Sequence, residues 1–441
     1  MAATEKNLGA SGVIFNDRRD FYVDPQVTKE LWTDVAPFTT MVSNQELRSV
    51  PDPVFKMFEH RNPWIKQEFQ AVDNGVTIPD DDTGLGIEVD SIYNLASSPD
   101  SSYIGLVVEV YDSTKTTFKG VAVVTGVPEA DHLTFKSLEA SGSTIAIAED
   151  DYFCVIGNAH GEGSEAPDAW SDELSVVWNS TQIFKTPLQI TGTLQAAVLR
   201  GESSELARLR RQKAQEHKMQ KEKAFLFGKR YGGTGLDLQD GSSSDSFLDD
   251  GRSDINGNLL RTTYGIISAI ENYGSSTSTD DYQNIFEIDS ANYTYANFVD
   301  NMEKVFQYVP EAGVKRAFVG AGALGYWSKM DGASGSGIAG ESSWTINLGD
   351  MKRDSLGFNY RVLETPHGML QLIPTPALRG TYNGYMVVVS DENLFHAQYR
   401  PSMYQANIKQ DNAFDGVKDQ YMSDEGLGIQ LIESHSLFKV S

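Results

Sequence analysis

The sequence predicts an α+β protein built around a long polar helix and interrupted by a β-rich insertion, and three stretches carry that prediction. Between Ile78 and Trp178 the runs GLVVEVYD, FKGVAVVTGV, HLTFKSL, TIAIA and DYFCVIGNA follow at short spacing, separated by Gly, Ser, Asp and Pro, the pattern of a small sandwich or barrel. Gln182 to Arg230 reads as a strand, a short apolar stretch and one long helix. Beyond Leu260 helical and strand-like segments mix without regular alternation, which argues against a doubly wound nucleotide-binding sheet. At 441 residues the chain exceeds a single compact core, so two or three domains are expected.

In chain order, residues 1–50 read as an extended arm with one short helix around LWTDVAPFTTMV. SVPDPVFKMFEHRNPW follows, an aromatic loop with Phe55, Phe58 and Trp64 punctuated by Pro51, Pro53 and Pro63. The insertion holds the single cysteine, Cys154, in a strand-like run where a small buried apolar residue is expected. Ile183, Phe184, Leu188, Ile190 and Thr191 mark the next strand, and Pro187 suggests an edge or a bulge. Ser203 or Ser204 can cap the long helix, Glu202 and Glu205 suit its positive end, and Gly228, Lys229 and Arg230 mark its close. Its length is roughly 35–40 Å at about 1.5 Å per residue.

GGTGLDLQDGSSSDSFLDDGRSDINGNL then reads as a surface loop. TTYGIISAIENYG is a helix, and so is TYANFVDNMEKVFQYVP, with Phe298, Met302, Val305 and Val309 on one face and Pro310 at its end. KRAFVGA is a buried strand and ALGYWSKM a helix. SWTINLG, FNYRVLET, GMLQLIP, YMVVVSDENLFHAQY and LGIQLIESHSLFKV are strands.

The long helix stands out for its lack of apolar surface. Between Leu209 and Ala224 only Ala214 and Met219 are apolar, so it is not built to be buried in its own domain. It is also basic, through Arg200, Arg208, Arg210, Arg211, Lys213 and Lys218, with Lys221 and Lys223, in a chain of net charge −25. Two readings stand side by side: a solvated face, or a spine touching neighbouring subunits or a polyanion.

The acidic balance argues against general nucleic-acid binding by the whole surface. No apolar run approaches the length of a bilayer span, and the N-terminal residues lack the apolar core of a signal peptide, so the protein is expected to begin in the cytosol. One cysteine rules out an intrachain disulfide.

Motifs for chemistry are missing. Gly335, Gly337 and Gly340 satisfy G-x-G-x-x-G, but no apolar strand precedes them and no helix follows. The seven histidines, His60, His132, His160, His217, His367, His396 and His435, show no pair at metal-ligand spacing. Asp80, Asp81 and Asp82, with Asp237, Asp240, Asp245, Asp249, Asp250 and Asp254, do not meet calcium-loop spacing and read as solvated turns. Catalytic, cofactor-binding and metal sites are therefore all expected to be none, and the balance moves from an enzyme to an assembly protein.

The order of parts resembles the major capsid proteins of tailed bacteriophages with the HK97-like fold. PFTTMVS from Pro37 and DPVFKMFEHRNPW from Asp52 look like the N-terminal signature of one branch of that superfamily. GNAHGEGSEAP from Gly157 resembles the close of its inserted β-region, and TQIFKTPLQITGTLQAAVLRGESSELARLRRQKAQEHKMQKEKAFLFG is its most recognisable stretch. The resemblance implies an N-terminal arm (1–50), an extended loop carrying a β-rich domain (51–180), and a peripheral-domain strand, spine helix and loop (181–259). An axial α+β domain (260–410) and a C-terminal segment returning to the peripheral domain (411–441) would complete the chain. It also implies self-assembly as pentamers and hexamers into an icosahedral virion shell around double-stranded DNA held by confinement, formed in the host bacterial cytoplasm. A portal protein at one vertex, a cement or decoration protein and no membrane belong to that picture. No long charged helix precedes Met41, so a separate scaffolding protein is expected. The basic residues Arg200, Arg208, Arg210, Arg211, Lys213 and Lys218 would face DNA or another subunit. A tail tube or decoration protein, or an encapsulin-like compartment, is the alternative.

Overall fold

The computed structural model describes residues 36–60, 68–81, 84–90, 103–129, 131–164, 174–197, 204–230, 260–276, 282–290, 293–308, 313–329, 351–353, 359–408 and 415–441. The expected arm before Ala36, Arg200, the loop after the spine, the G-x-G-x-x-G segment and SWTINLG lie outside them. The chain divides into two compact units, one of residues 58–175 and one of the remainder.

The chain enters through α1 (Pro37–Gln45), β1 (Leu47–Ser49) and β2 (Val54–Glu59). β3 (Glu68–Ala71), β4 (Val76–Ile78), β5 (Ile87–Asp90), β6 (Leu106–Tyr111), β7 (Phe118–Glu129), β8 (His132–Ser137), β9 (Ile145–Ile147) and β10 (Tyr152–Asn158) make up the inserted unit. There β10, β3, β5, β8, β7 and β6 close into a barrel, so the expected small barrel is present. Alternate residues point inward, as the period of a strand requires, and Phe69, Phe135 and Phe153 stack at its centre. The Phe135–Phe153 centroids are 4.7 Å apart and the Phe69–Phe153 centroids 5.1 Å. Cys154 is not in this core: it is half-buried on β10, and burial, with Glu68 and Glu109 nearby, pushes its thiol up. The alternation of β10 explains this, because Phe153 takes the inward position.

The chain returns through β11 (Ser175–Ser180), β12 (Gln182–Thr191), α2 (Gly192–Ala196) and α3 (Glu205–Phe227). α4 (Ile266–Tyr273), β13 (Ile285–Ile288), α5 (Tyr295–Val305), β14 (Val314–Val319), α6 (Ala321–Lys329) and β15 (Lys352–Arg353) come next. The last strands are β16 (Asn359–Thr365), β17 (Gly368–Pro374), β18 (Tyr385–Val389), β19 (Leu394–Gln405), β20 (Gly416–Ile429) and β21 (Ser436–Val440).

Two sheets organise this unit. The smaller runs β1-β19-β20-β12, and the larger β13-β21-β18-β14-β17-β16-β15. Alternation in the larger sheet separates two cores. Met386 and Val388 join Phe298, Met302 and Trp327 from α5 and α6, while Val387 and Val389 join Phe38, Phe225 and Ile270 from α1, α3 and α4. β12 ends its sheet, as Pro187 foreshadowed, and Phe184, Thr186, Leu188 and Ile190 are its buried face. The C-terminal segment does not return as one piece: β20 pairs with β12 and β19, but β21 pairs with β13 and β18 in the larger sheet. The turn between them, Gln430–His435, redirects the chain, and Leu431 takes a left-handed φ of 48° there.

Candidate functional site: the polar seat of the long helix

The long helix forms for the reasons its sequence gives. Ser204 caps it, its side chain accepting from the Ala207 N–H at 3.4 Å, and Glu205 stands in the first turn. It ends at Gly228 for a reason other than a left-handed turn. Gly228 has φ −53°, and a Cβ there would lie 2.4 Å from the Ala224 carbonyl oxygen and 2.5 Å from that of Thr263. The glycine permits a close backbone approach.

Contrary to the expectation from its composition, α3 does have a seat in its own unit. It packs against β12, β20, α1 and α4, with His217, Glu222, Phe225 and Leu226 buried. The buried face is polar because the sheet beneath it is polar. Asp419, Tyr421, Ser423 and Glu425 alternate on one face of β20, and Arg210, His217 and Lys221 recur at helical spacing along α3.

Arg210 reaches the fully buried Asp419 at 2.9 Å, and the Tyr421 hydroxyl donates to the Arg210 carbonyl at 3.2 Å. Burial pushes Asp419 up, but the Tyr404 hydroxyl, the Asn407 N–H at 2.7 Å and Arg210 outweigh it and hold the carboxyl below its usual range. His217 bridges Thr186 of β12 and Ser423 of β20, each at 3.0 Å. The Thr186 hydroxyl also donates to Gln220 Oε1 at 3.1 Å, so His217 Nδ1 carries the proton and Nε2 accepts from Ser423. Burial, helped by Lys221, pushes His217 down to about 4 against the pull of Glu425.

Lys221 pairs with Glu425 at 3.1 Å, and His396 Nε2 donates to the same carboxylate at 3.0 Å. Burial alone would raise Glu425, yet His396, Lys221 and Ser402 hold it at about 2. On the other face of β20, Asp424 is fully buried and takes Arg261 at 3.1 Å and Arg400 at 3.2 Å. Glu222 completes the seat from the helix side. Its carboxylate accepts from Phe38 N at 3.1 Å, Thr39 N at 2.7 Å and Thr39 Oγ1 at 2.7 Å, at the N-terminus of α1. Burial pushes Glu222 up against these bonds.

This arrangement is mechanical. Each buried charge in it faces an opposite charge or converging hydrogen-bond donors, which fixes α1, α3 and β20 as one frame. Among the described residues no three His, Cys, Asp or Glu gather to hold a metal, and no helix is long and apolar enough to cross a membrane.

The basic residues singled out in the sequence fall into different places. Arg208 pairs with Glu205, Lys213 pairs with Glu216 at 2.6 Å, and Arg210 is committed to Asp419. Arg211 is exposed and Lys218 half-buried, while Arg200 lies outside the described residues. Sequence reasoning missed the carboxylates of β20. The signal was present in D-x-Y-x-S-x-E from Asp419, whose period of two puts polar groups on one strand face.

A family model described as SU10 major capsid protein matches residues 34–429. The major capsid protein of Pseudomonas phage PaMx41 is 31% identical over 142 residues, 32% of this chain and 29% of that one. The chain thus spans under a third of the length of that curated relative. The capsid of the native GTA particle is similar at a TM-score of 0.48 and 8% identity, covering 99% of this chain and 100% of that one. The bacteriophage PhiM1 mature capsid gives a TM-score of 0.39 at 9% identity, with 65% and 79% covered. The SrpI encapsulin complex from Synechococcus elongatus gives 0.37 at 7% identity, with 62% and 77% covered. The sequence model spans the short helix, the barrel, the spine and both sheets apart from β21, and on that match the chain belongs to the SU10 major capsid protein family.

Proposed function

We propose that this chain is the building block of a tailed-phage capsid of the HK97-like type, assembling as pentamers and hexamers into an icosahedral shell around double-stranded DNA. The carrying observation is the family match from residue 34 to residue 429, which includes every element of the charged frame. The frame supports the reading physically. A rigid α1–α3–β20 body lets one subunit present fixed surfaces to many neighbours, as closed symmetry requires. In this reading residues 1–50 lie across a neighbour, the barrel-bearing loop spans about 51–180, and a separate scaffolding protein, a portal protein and a cement protein act with the shell in the bacterial cytoplasm.

The basic side of α3 faces inward in this proposal. Arg211, which is exposed, and Lys218, which is half-buried, are the test residues. Electron microscopy of the purified chain with its scaffold is expected to show closed spherical shells, and tubes or stable monomers would overturn the proposal. Arg211→Gln with Lys218→Gln should lower DNA retention while leaving shell yield unchanged; equal loss of both counts against the inward face.

A further inference from the structure

The seven-stranded sheet has two open ends of opposite charge. Its end strands, β13 and β15, each pair on one side only, with β21 and β16. At the β13 end the charge is negative. Residues 262–303 hold seven Asp and Glu and not one Lys or Arg. Glu287 is exposed on β13, and Asp300 and Glu303 are exposed on α5. The next residue, Lys304, donates to Gln283 Oε1 at 2.6 Å and so ties the last turn of α5 to the start of β13. Lys439, opposite Glu287 on β21, pairs with Glu271 at 2.9 Å. Among the described residues no ion pair takes up Asp300 or Glu303.

The other end is positive. Lys352 and Arg353, both exposed, make up β15, and Arg361 stands half-buried on β16. Glu364, at the hairpin into β17, is the only acid on β15, β16 and β17, while Asp350 and Asp354, on either side of β15, lie outside the described residues. Beside these cations Ala321, Leu324, Tyr360, Leu372 and Pro374 line an apolar groove of about 320 Å³. Charge at an open edge guards it against stray pairing, but that role needs no opposite sign at the far end.

We infer that neighbouring copies of this chain join head to tail through the sheet, the acidic β13–α5 end of one against the basic, grooved β15–β16 end of the next. The inference rests on the shell reading above. Strands spaced about 4.8 Å apart set the two ends of a seven-stranded sheet about 29 Å apart, well past the roughly 8 Å over which charges act at physiological salt. Within one copy the ends cannot neutralise each other. A ring of five or six identical copies needs two different, mutually complementary patches on each copy, and the two ends of one sheet supply them.

Charge reversal tests this in the full chain, assembled with its scaffold and imaged by electron microscopy. Asp300→Lys with Glu303→Lys reverses the acidic end, and Lys352→Glu with Arg353→Glu reverses the basic end. All four side chains are exposed, and urea unfolding checks that each variant folds. Either pair alone should cut the yield of closed shells at least about tenfold, because like charges then meet at every joint. All four substitutions together should restore most of it. In an even mixture of the two singly reversed chains only unlike copies can join. Alternation closes a ring of six but not of five, so the mixture should give hexamers without closed shells. Unchanged yield from either pair, no recovery with all four, or pentamers from the mixture overturns the inference. Should a reversed chain fail to fold, Asp300→Asn with Glu303→Gln takes its place: a lower shell yield is expected, and an unchanged one overturns the inference. Microscopy of the unmodified chain separates the two readings. Without closed particles the shell proposal falls and this inference with it, while closed particles that tolerate reversal overturn this inference alone.

Discussion

Replacing Glu222 by glutamine tests whether the frame is held as described. The carboxylate accepts three hydrogen bonds from Phe38 and Thr39, with none of its surface exposed to solvent. Glutamine keeps one acceptor oxygen and turns an NH2 group towards donors that now bond a carboxylate oxygen. Hydrogen bonds to a charged group are worth about 1.5–3 kcal/mol, and a buried donor left unpaired costs about 1–3 kcal/mol. Burial works the other way. It pushes Glu222 up, so removing the charge recovers part of the desolvation cost. The net expectation is a loss of about 2–4 kcal/mol. Urea unfolding of the unassembled chain reads the total, and hydrogen exchange locates it. Amides of residues 36–45 should exchange faster while those of the barrel, which has its own core, keep their protection. A loss below about 0.5 kcal/mol with unchanged exchange in α1 would refute the clamp.

Three further outcomes follow from the same geometry. His217 titrates near 4 in the fold against an ordinary 6.5, so the unfolded chain binds more protons between those values and stability falls as pH drops through that window. The full effect is at most about 3 kcal/mol. His435, held at about 3 by burial and Lys315, adds to it in the same direction, so His217→Gln should flatten but not abolish the slope of unfolding midpoint against pH. Arg210→Ala should destabilise the chain by about 1–2 kcal/mol, because Asp419 keeps Tyr404 and Asn407 but loses its cation, whereas the exposed Lys223→Ala should stay within about 0.5 kcal/mol in the same denaturation assay. Phe153→Ala removes the middle ring of the barrel stack and should cost about 3–5 kcal/mol, read as faster proteolysis within residues 58–175; equal protease resistance would contradict that packing.

Much of the fold is legible in the sequence because it depends on local periodicity. The strand at Gln182–Thr191, the barrel strands β6, β7, β8 and β10 and the helices at Ile266–Tyr273 and Tyr295–Val305 each carry their own pattern, and each is present. The seat of α3 was hidden because it is polar on both sides. A helix with few apolar residues looks unburied until Asp419, Ser423 and Glu425 are known to lie opposite Arg210, His217 and Lys221, some 200 residues away. The same distance concealed the split of the C-terminal segment. LGIQLIESHSLFKV reads as one apolar run, and only the pairing of its two ends with different sheets divides it.

The clamp on α1 also sets an order of events during synthesis. Phe38 and Thr39 find their acceptor 183 to 184 residues later, and Leu47 to Ser49 pair with His396 to Gln398. The barrel strands, by contrast, all come from one continuous stretch. A nascent chain can therefore close its barrel early, while Phe38 and Thr39 wait for Glu222 and Leu47 to Ser49 stay without their strand partner until residue 398 has left the ribosome. The frame that would present surfaces to neighbouring subunits is among the last parts to form. Timing of this kind separates translation from assembly: an unfinished chain lacks the body that a growing shell would have to recognise.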